Sequence, residues 1–133
     1  MLEAFKNFKR IDELLALPYK HGGRSPAGID CYGMAMAAAQ ILGYDLPEID
    51  YESLSELRPL FPFRIVAKPH RGCFAEIRAT RDKPPHCGIY INSREVIHAS
   101  ENHGVRVDRA DWLGVEAFYE ITTRCGEKAS SQE

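Results

Sequence analysis

Between Cys31 and Leu42 nearly every residue is small or apolar, among them Met34, Ala35, Met36, Ala37, Ala38, Ala39 and Ile41, and Gln40 is the interruption. Such a run, with Gly43 behind it as a C-terminal stop, predicts a helix buried on most of its sides. A helix that is apolar nearly all round needs other elements to cover it. The run is too short for a membrane span, which needs about 18 consecutive apolar residues, so the chain is expected to be soluble. The helix is expected to start at Asp30 or Cys31. Ahead of it, His21 to Gly28 has turn and loop chemistry, with Gly22, Gly23, Ser25, Pro26 and Gly28. Further upstream Ala4, Phe8, Ile11 and Leu15 recur at helical spacing and Pro18 closes the run, which predicts an amphipathic opening helix.

The cover comes from the second half. After a short helical stretch near Tyr51 to Leu57, β-favouring runs predict strands at Phe63 to Ala67, Cys73 to Ala79, Cys87 to Ile91, Val96 to Ser100, Val105 to Val107 and Ala117 to Thr122. Helices first and strands second suggest an α+β domain whose antiparallel sheet packs on the buried helix. At 133 residues the chain reads as a single domain over residues 1–126, with a polar, frayed tail at Glu127 to Glu133. Its 17 basic and 19 acidic side chains give a net charge of −2 with no basic face, which argues against nucleic-acid binding. Glu3, Lys6, Lys9, Arg10, Asp12 and Glu13 break up any apolar core of an export signal, so synthesis in the cytoplasm and free thiols are expected.

Cys31 sits where a glycine-rich loop feeds the helix, and the partial positive charge of a helix N-terminus favours thiolate over thiol. That is a nucleophile's position, although a free cysteine more often only packs. Two histidines could supply the base. His86 opens His-Cys-Gly-Ile-Tyr-Ile, His98 lies in Val-Ile-His-Ala-Ser, and Asn92 and Ser93 join the two runs as a hairpin. The sum 86 + 98 is even, so the histidines share a face if the loop is odd, such as Ile91 to Ser93, or carries a bulge. His86 would then take the proton of Cys31, His98 would orient His86, and Cys87 would point the other way. Zinc is the rival reading, because Cys31, Cys73, His86, Cys87 and His98 include suitable ligand types. Their spacing is poor for it, since neighbours such as His86 and Cys87 face opposite sides of a strand. Neither metal nor cofactor is expected.

These segments carry a resemblance. Gly-Ile-Asp-Cys-Tyr-Gly-Met at residues 28–34, with the two histidine runs at residues 86–100, resembles the signature segments of the NlpC-type papain-like cell-wall cysteine peptidases. Pro-Tyr-Lys-His-Gly-Gly-Arg-Ser-Pro-Ala at residues 18–27 and Leu-Gly-Tyr-Asp-Leu-Pro at residues 42–47 look most like members from tailed phages and prophages. The resemblance implies a papain-like α+β fold, with the nucleophile at the N-terminus of a buried helix packed on about five or six antiparallel strands. It implies Cys31 as nucleophile, His86 as general base and acid, and His98 as the residue that orients His86. It also implies that Tyr19 lines the oxyanion site with the Cys31 N–H, and that Asp30 helps receive the free amine of a trimmed stem peptide. Asp30 read from its own chemistry is equally a helix N-cap. Tyr32 stands where relatives commonly have Ser or Trp, which alters the expected substrate-pocket wall. Gly72-Cys73 replaces a common Gly-Asp pair.

The activity implied is endopeptidase cleavage of peptidoglycan stem peptides, at a D-glutamyl to diamino acid bond, through an acyl-enzyme on Cys31. A phage or phage-like tail tip would carry such a protein to the wall, with other tail-tip or baseplate proteins as partners. Two alternatives remain open at this point: a structural tail plug with an idle or occluded site, and an amidase or acyltransferase on the same fold.

Overall fold

A computed structural model describes residues 1–49 and 63–126 of the chain. The expected helical stretch near Tyr51 to Leu57 and the tail at Glu127 to Glu133 lie outside the described residues.

Helix α1 runs over Cys31–Ile41, and Tyr32 through Ala39 are all buried. Its start is set by Asp30, whose extended backbone (φ −89°, ψ 179°) lets the carboxylate accept the Gly33 N–H at 2.7 Å. Gly43, at φ +96°, ends it as the sequence anticipates. The alanines allow close approach to the sheet, and each large side chain buried here, such as Met34, contributes roughly 1.5–3 kcal/mol.

The amphipathic opening helix is not formed. Two 3-10 turns, Glu3–Phe5 and Ile11–Leu14, stand in its place. The reason is local: the Glu13 carboxylate accepts the backbone N–H groups of Lys9 and Arg10 at 2.9 and 2.8 Å, which starts a new turn where one continuous helix would have run through. Leu2, Phe5 and Leu14 still reach the core. The loop before α1 also holds more order than expected, because β1 (Arg24–Ser25) and β2 (Gly28–Ile29) pair as a small antiparallel hairpin.

Six further strands follow: β3 (Phe63–Val66), β4 (Phe74–Ile77), β5 (His86–Tyr90), β6 (Glu95–Ser100), β7 (Gly104–Arg109) and β8 (Val115–Ile121). A one-turn helix α2 (Ala110–Leu113), which the sequence does not signal, joins β7 to β8. The strands form one antiparallel sheet in the order β3-β8-β4-β5-β6-β7. This is the α+β architecture with six antiparallel strands that the residue pattern implies. Alternation sorts the sheet faces. Phe74, Cys87, Ile89, Ile97, Ala99, Tyr119 and Ile121 share a core with α1. Cys73, Ala75, Tyr90 and Val96 form a second, smaller core with Leu113 of α2.

Candidate active site

Cys31 is the first residue of α1 and half-buried. The first N–H groups of a helix lack intrahelical partners, so they concentrate positive potential at the thiol. Its pKa is pulled down to about 6 from 9.0: the Cys87 thiol hydrogen-bonds it, burial works in the opposite direction, and a hydrogen bond and charge from His86 reinforce the lowering. His86 and Cys87 alternate as expected, and the buried Cys87 lies on the face of β5 that shares a core with α1.

The histidines meet. His86 Nε2 and His98 Nδ1 are 2.8 Å apart, with the rings edge to face at 84°. The pairs Ile89↔Ile97 and Tyr90↔Val96, with the Ile91 N–H donating to the Glu95 carbonyl, leave a three-residue loop at 92–94. The loop is odd, one residue later than the sequence reading set it, so the histidines are diagonal neighbours on one face and not directly opposed. Gly88 makes room for this. A Cβ there would stand 3.1 Å from the His98 Cβ and 2.5 Å from the Ile97 carbonyl oxygen.

Behind His98 lies a residue that the sequence reading missed. Asp108 Oδ2 is 2.8 Å from His98 Nε2 and 2.8 Å from Arg106 Nε. The signal was available in the strand arithmetic: β6 and β7 pair His98 with Arg106, so Asp108, two residues on, shares the His98 face. His98 is 3% exposed, and burial holds its pKa below 6.5 despite the Asp108 hydrogen bond. Burial opposes ionisation of Asp108, but the His98 and Arg106 bonds outweigh it and hold the carboxyl low.

These constraints set the tautomers. A carboxylate only accepts, so His98 Nε2 carries the proton; neutral His98 then accepts at Nδ1, and His86 donates from Nε2. His86 Nδ1 is left to exchange a proton with the Cys31 sulfur. A proton relay from Cys31 through His86 to His98, anchored on Asp108, is what the arrangement can do chemically.

The other expected residues divide. Asp30 acts as the N-cap and also faces Arg24, whose Nε lies 3.3 Å from Oδ1. Arg24 itself spans the site's flank, donating to the Ile49 carbonyl at 3.0 Å and lying over the Tyr32 ring. Tyr32, expected on the pocket wall, is a core residue: it has no exposed area, its hydroxyl donates to the Pro47 carbonyl at 2.6 Å, and its ring meets Phe74 edge to face. The second position of α1 faces inward, and burial drives its hydroxyl pKa up. Tyr19 is half-buried, and its backbone bridges to Ile29, two residues ahead of Cys31. Cys73 lies in the second core, taking the His70 N–H at 3.4 Å, and Cys125 bonds the Tyr44 carbonyl at 3.2 Å. Among the described residues no three His, Cys, Asp or Glu side chains group as a metal site.

Comparison with known proteins bears on the family and the fold. The NlpC/P60 family model matches residues 16–122. The solved NlpC/p60 domain of the peptidoglycan hydrolase SagA is similar in fold, with a TM-score of 0.63 at 19% identity, over 84% of this chain and 92% of that one. A solved NlpC/P60 family protein from Bacillus cereus ATCC 10987 gives a TM-score of 0.65 at 19% identity, over 92% of this chain and 40% of that longer one. No curated protein sequence matches the chain.

Proposed function

The chain belongs to the NlpC/P60 family, and from that premise we propose that it is a cysteine peptidase that hydrolyses the stem peptides of peptidoglycan. The observation that carries this reading is the 2.8 Å contact between His86 and His98, made beside a thiol whose pKa is lowered to about 6. A structural domain gains little from holding a histidine pair against the Asp108 carboxylate near a thiol at a helix N-terminus.

In this mechanism the Cys31 thiolate attacks the peptide carbonyl. The developing oxyanion sits against the Cys31 N–H and the Tyr19 hydroxyl, the donor pair that the family resemblance suggests. His86, protonated at Nδ1, passes that proton to the leaving amine, and the acyl group stays on sulfur. His86 then accepts a proton from water, and the hydroxide so formed releases the acid and restores the thiolate. His98 steadies the His86 cation through its Nδ1 lone pair. Asp30 receives a substrate amine only by sharing a carboxylate that already holds Gly33 and Arg24.

The bond proposed is the one between D-glutamate and the diamino acid, and the route proposed is a phage or phage-like tail tip with tail or baseplate partners. Support for the route is the likeness of residues 18–27 and 42–47 to phage and prophage members of the family. The deciding experiment incubates purified sacculi with wild type and with Cys31→Ala and reads the products by mass spectrometry. New stem-peptide ends from wild type alone are expected. Equal release by both proteins sinks the peptidase reading, and ends at another bond sink the assigned specificity.

A further inference from the structure

The chain ahead of the nucleophile contains a strained residue that has no task in the mechanism above. Ala16 has φ +70°, the one positive value for a residue other than glycine among the described residues. An L residue in that region is strained, because its Cβ crowds the following carbonyl, so surrounding bonds must hold it there. Those bonds come from the edge of the sheet. The Ala16 N–H donates to the Val105 carbonyl at 3.1 Å, and the Val105 N–H donates to the Leu17 carbonyl at 2.9 Å. β7, which carries Val105, is the last strand in the sheet order and also carries Asp108. Gly104 allows the approach, since a Cβ there would lie 2.5 Å from the Leu17 carbonyl oxygen. The next three residues pair with a different element. The Ile29 N–H donates to the Pro18 carbonyl at 3.0 Å, the Lys20 N–H donates to the Ile29 carbonyl at 3.2 Å, and Tyr19 between them is the parallel bridge partner of Ile29. Ile29 is fully buried and stands two residues ahead of Cys31.

We propose that Leu17 and Gly104 are positioning residues for the nucleophile, and that Ala16 to Lys20 form a strap tying β7 to the chain that leads into Cys31. The inference rests on the peptidase reading and deepens it. Hydrolysis needs the thiol, held by α1, and the His86–His98–Asp108 relay, held by β5 to β7, at one fixed spacing. A misplacement of about 1 Å between reacting groups can cost roughly 100-fold in rate. Cover for an open strand edge would account for the two bonds to Val105. It leaves unexplained why the same short segment bonds both backbone groups of Ile29, and why a strained alanine is kept at its start. The Leu17 side chain anchors the strap by packing against the core that α1 shares with the sheet. A shift at Leu17 reaches Ile29 through a single residue, Pro18, whose ring fixes φ and so passes a displacement on instead of absorbing it.

The tie is measured without substrate, by amide hydrogen exchange in wild type, Gly104→Ala, Leu17→Ala and Leu17→Met. Gly104→Ala drives a methyl against the Leu17 carbonyl, and Leu17→Ala strips the anchor while leaving the backbone bonds possible. In both, exchange at the Ala16 and Val105 amides should quicken roughly tenfold or more, and exchange at the Ile29 and Lys20 amides should quicken with it. The Ile89 and Ile97 amides of the core strands should keep their wild-type rates, and Leu17→Met, of similar volume, should match wild type throughout. On a soluble stem peptide kcat should fall roughly 10- to 100-fold in the first two variants, with KM within about twofold, and Leu17→Met should restore it. Quickening at Ala16 and Val105 with Ile29 and Lys20 unchanged overturns the inference, as does equal quickening across the whole sheet or none at all. A wild-type kcat in a variant whose Ile29 amide has quickened overturns it too. If the variants show the linked exchange and wild type cuts no stem peptide, the peptidase reading fails and the tie stands. Active hydrolysis with unlinked exchange refutes only this inference.

Discussion

Asp108 is the residue whose replacement most directly tests the relay. Its Oδ2 accepts from both His98 Nε2 and Arg106 Nε at 2.8 Å, so in Asp108→Asn the amide oxygen takes that position and the tautomers survive while the charge is lost. A hydrogen bond to an ionised group contributes about 1.5–3 kcal/mol and a neutral one about 0.5–1.5, so the loss is about 1–1.5 kcal/mol. With the side chain only 18% exposed, solvent does little to screen the change. If that difference appears in the transition state, where His86 becomes cationic, kcat falls roughly 5- to 13-fold. Asp108→Ala removes the acceptor altogether and strands the buried His98 N–H. The whole bond is then at stake, about 1.5–3 kcal/mol, or roughly 13- to 160-fold. The assay is steady-state hydrolysis of a soluble stem peptide, followed chromatographically, with a melting curve for each variant to confirm folding. Folded variants that both retain kcat within twofold of wild type, or an Ala variant no slower than Asn, would refute the reasoning.

Three further outcomes follow from the geometry. Alkylation of Cys31 by iodoacetamide should fall away as pH drops below about 6, because protonation removes the thiolate; Cys87→Ala should move that limb upward toward 9.0, and an unmoved limb denies Cys87 its part. Burial holds the folded pKa of His98 below 6.5, so the unfolded chain binds more protons there and stability falls as pH is lowered through 6.5. His98→Gln should flatten that decline in the urea midpoint, and an equal decline in the variant counts against the buried neutral histidine. Gly88→Ala forces a methyl to within 2.5 Å of the Ile97 carbonyl and should cost about 1–3 kcal/mol in urea unfolding, with a wild-type midpoint contradicting the packing described.

Much of this was legible in the residues. Asp30 ahead of an apolar run and Gly43 behind it place α1 within one residue of its observed limits, since caps and burial patterns act over a turn or two. All six strands of the sheet coincide with β-favouring runs. The even sum of 86 and 98 calls for an odd loop or a bulge if the two are to share a face, and the loop is odd. The opening segment was misread because its apolar spacing suits a helix while the Glu13 carboxylate offers the backbone a different set of partners.

What the linear chain determines here is therefore each element and its parity: local sterics, hydrogen-bond caps and alternation act between residues a few positions apart. Which side chains then touch was decided by packing. The inward turn of Tyr32, the Arg24 clamp on Asp30 and the Asp108 anchor behind His98 all join different elements. Their meeting depends on strand register and on which sheet face α1 covers, and those are set by burial of the whole core, a long-range balance that no short window of sequence contains.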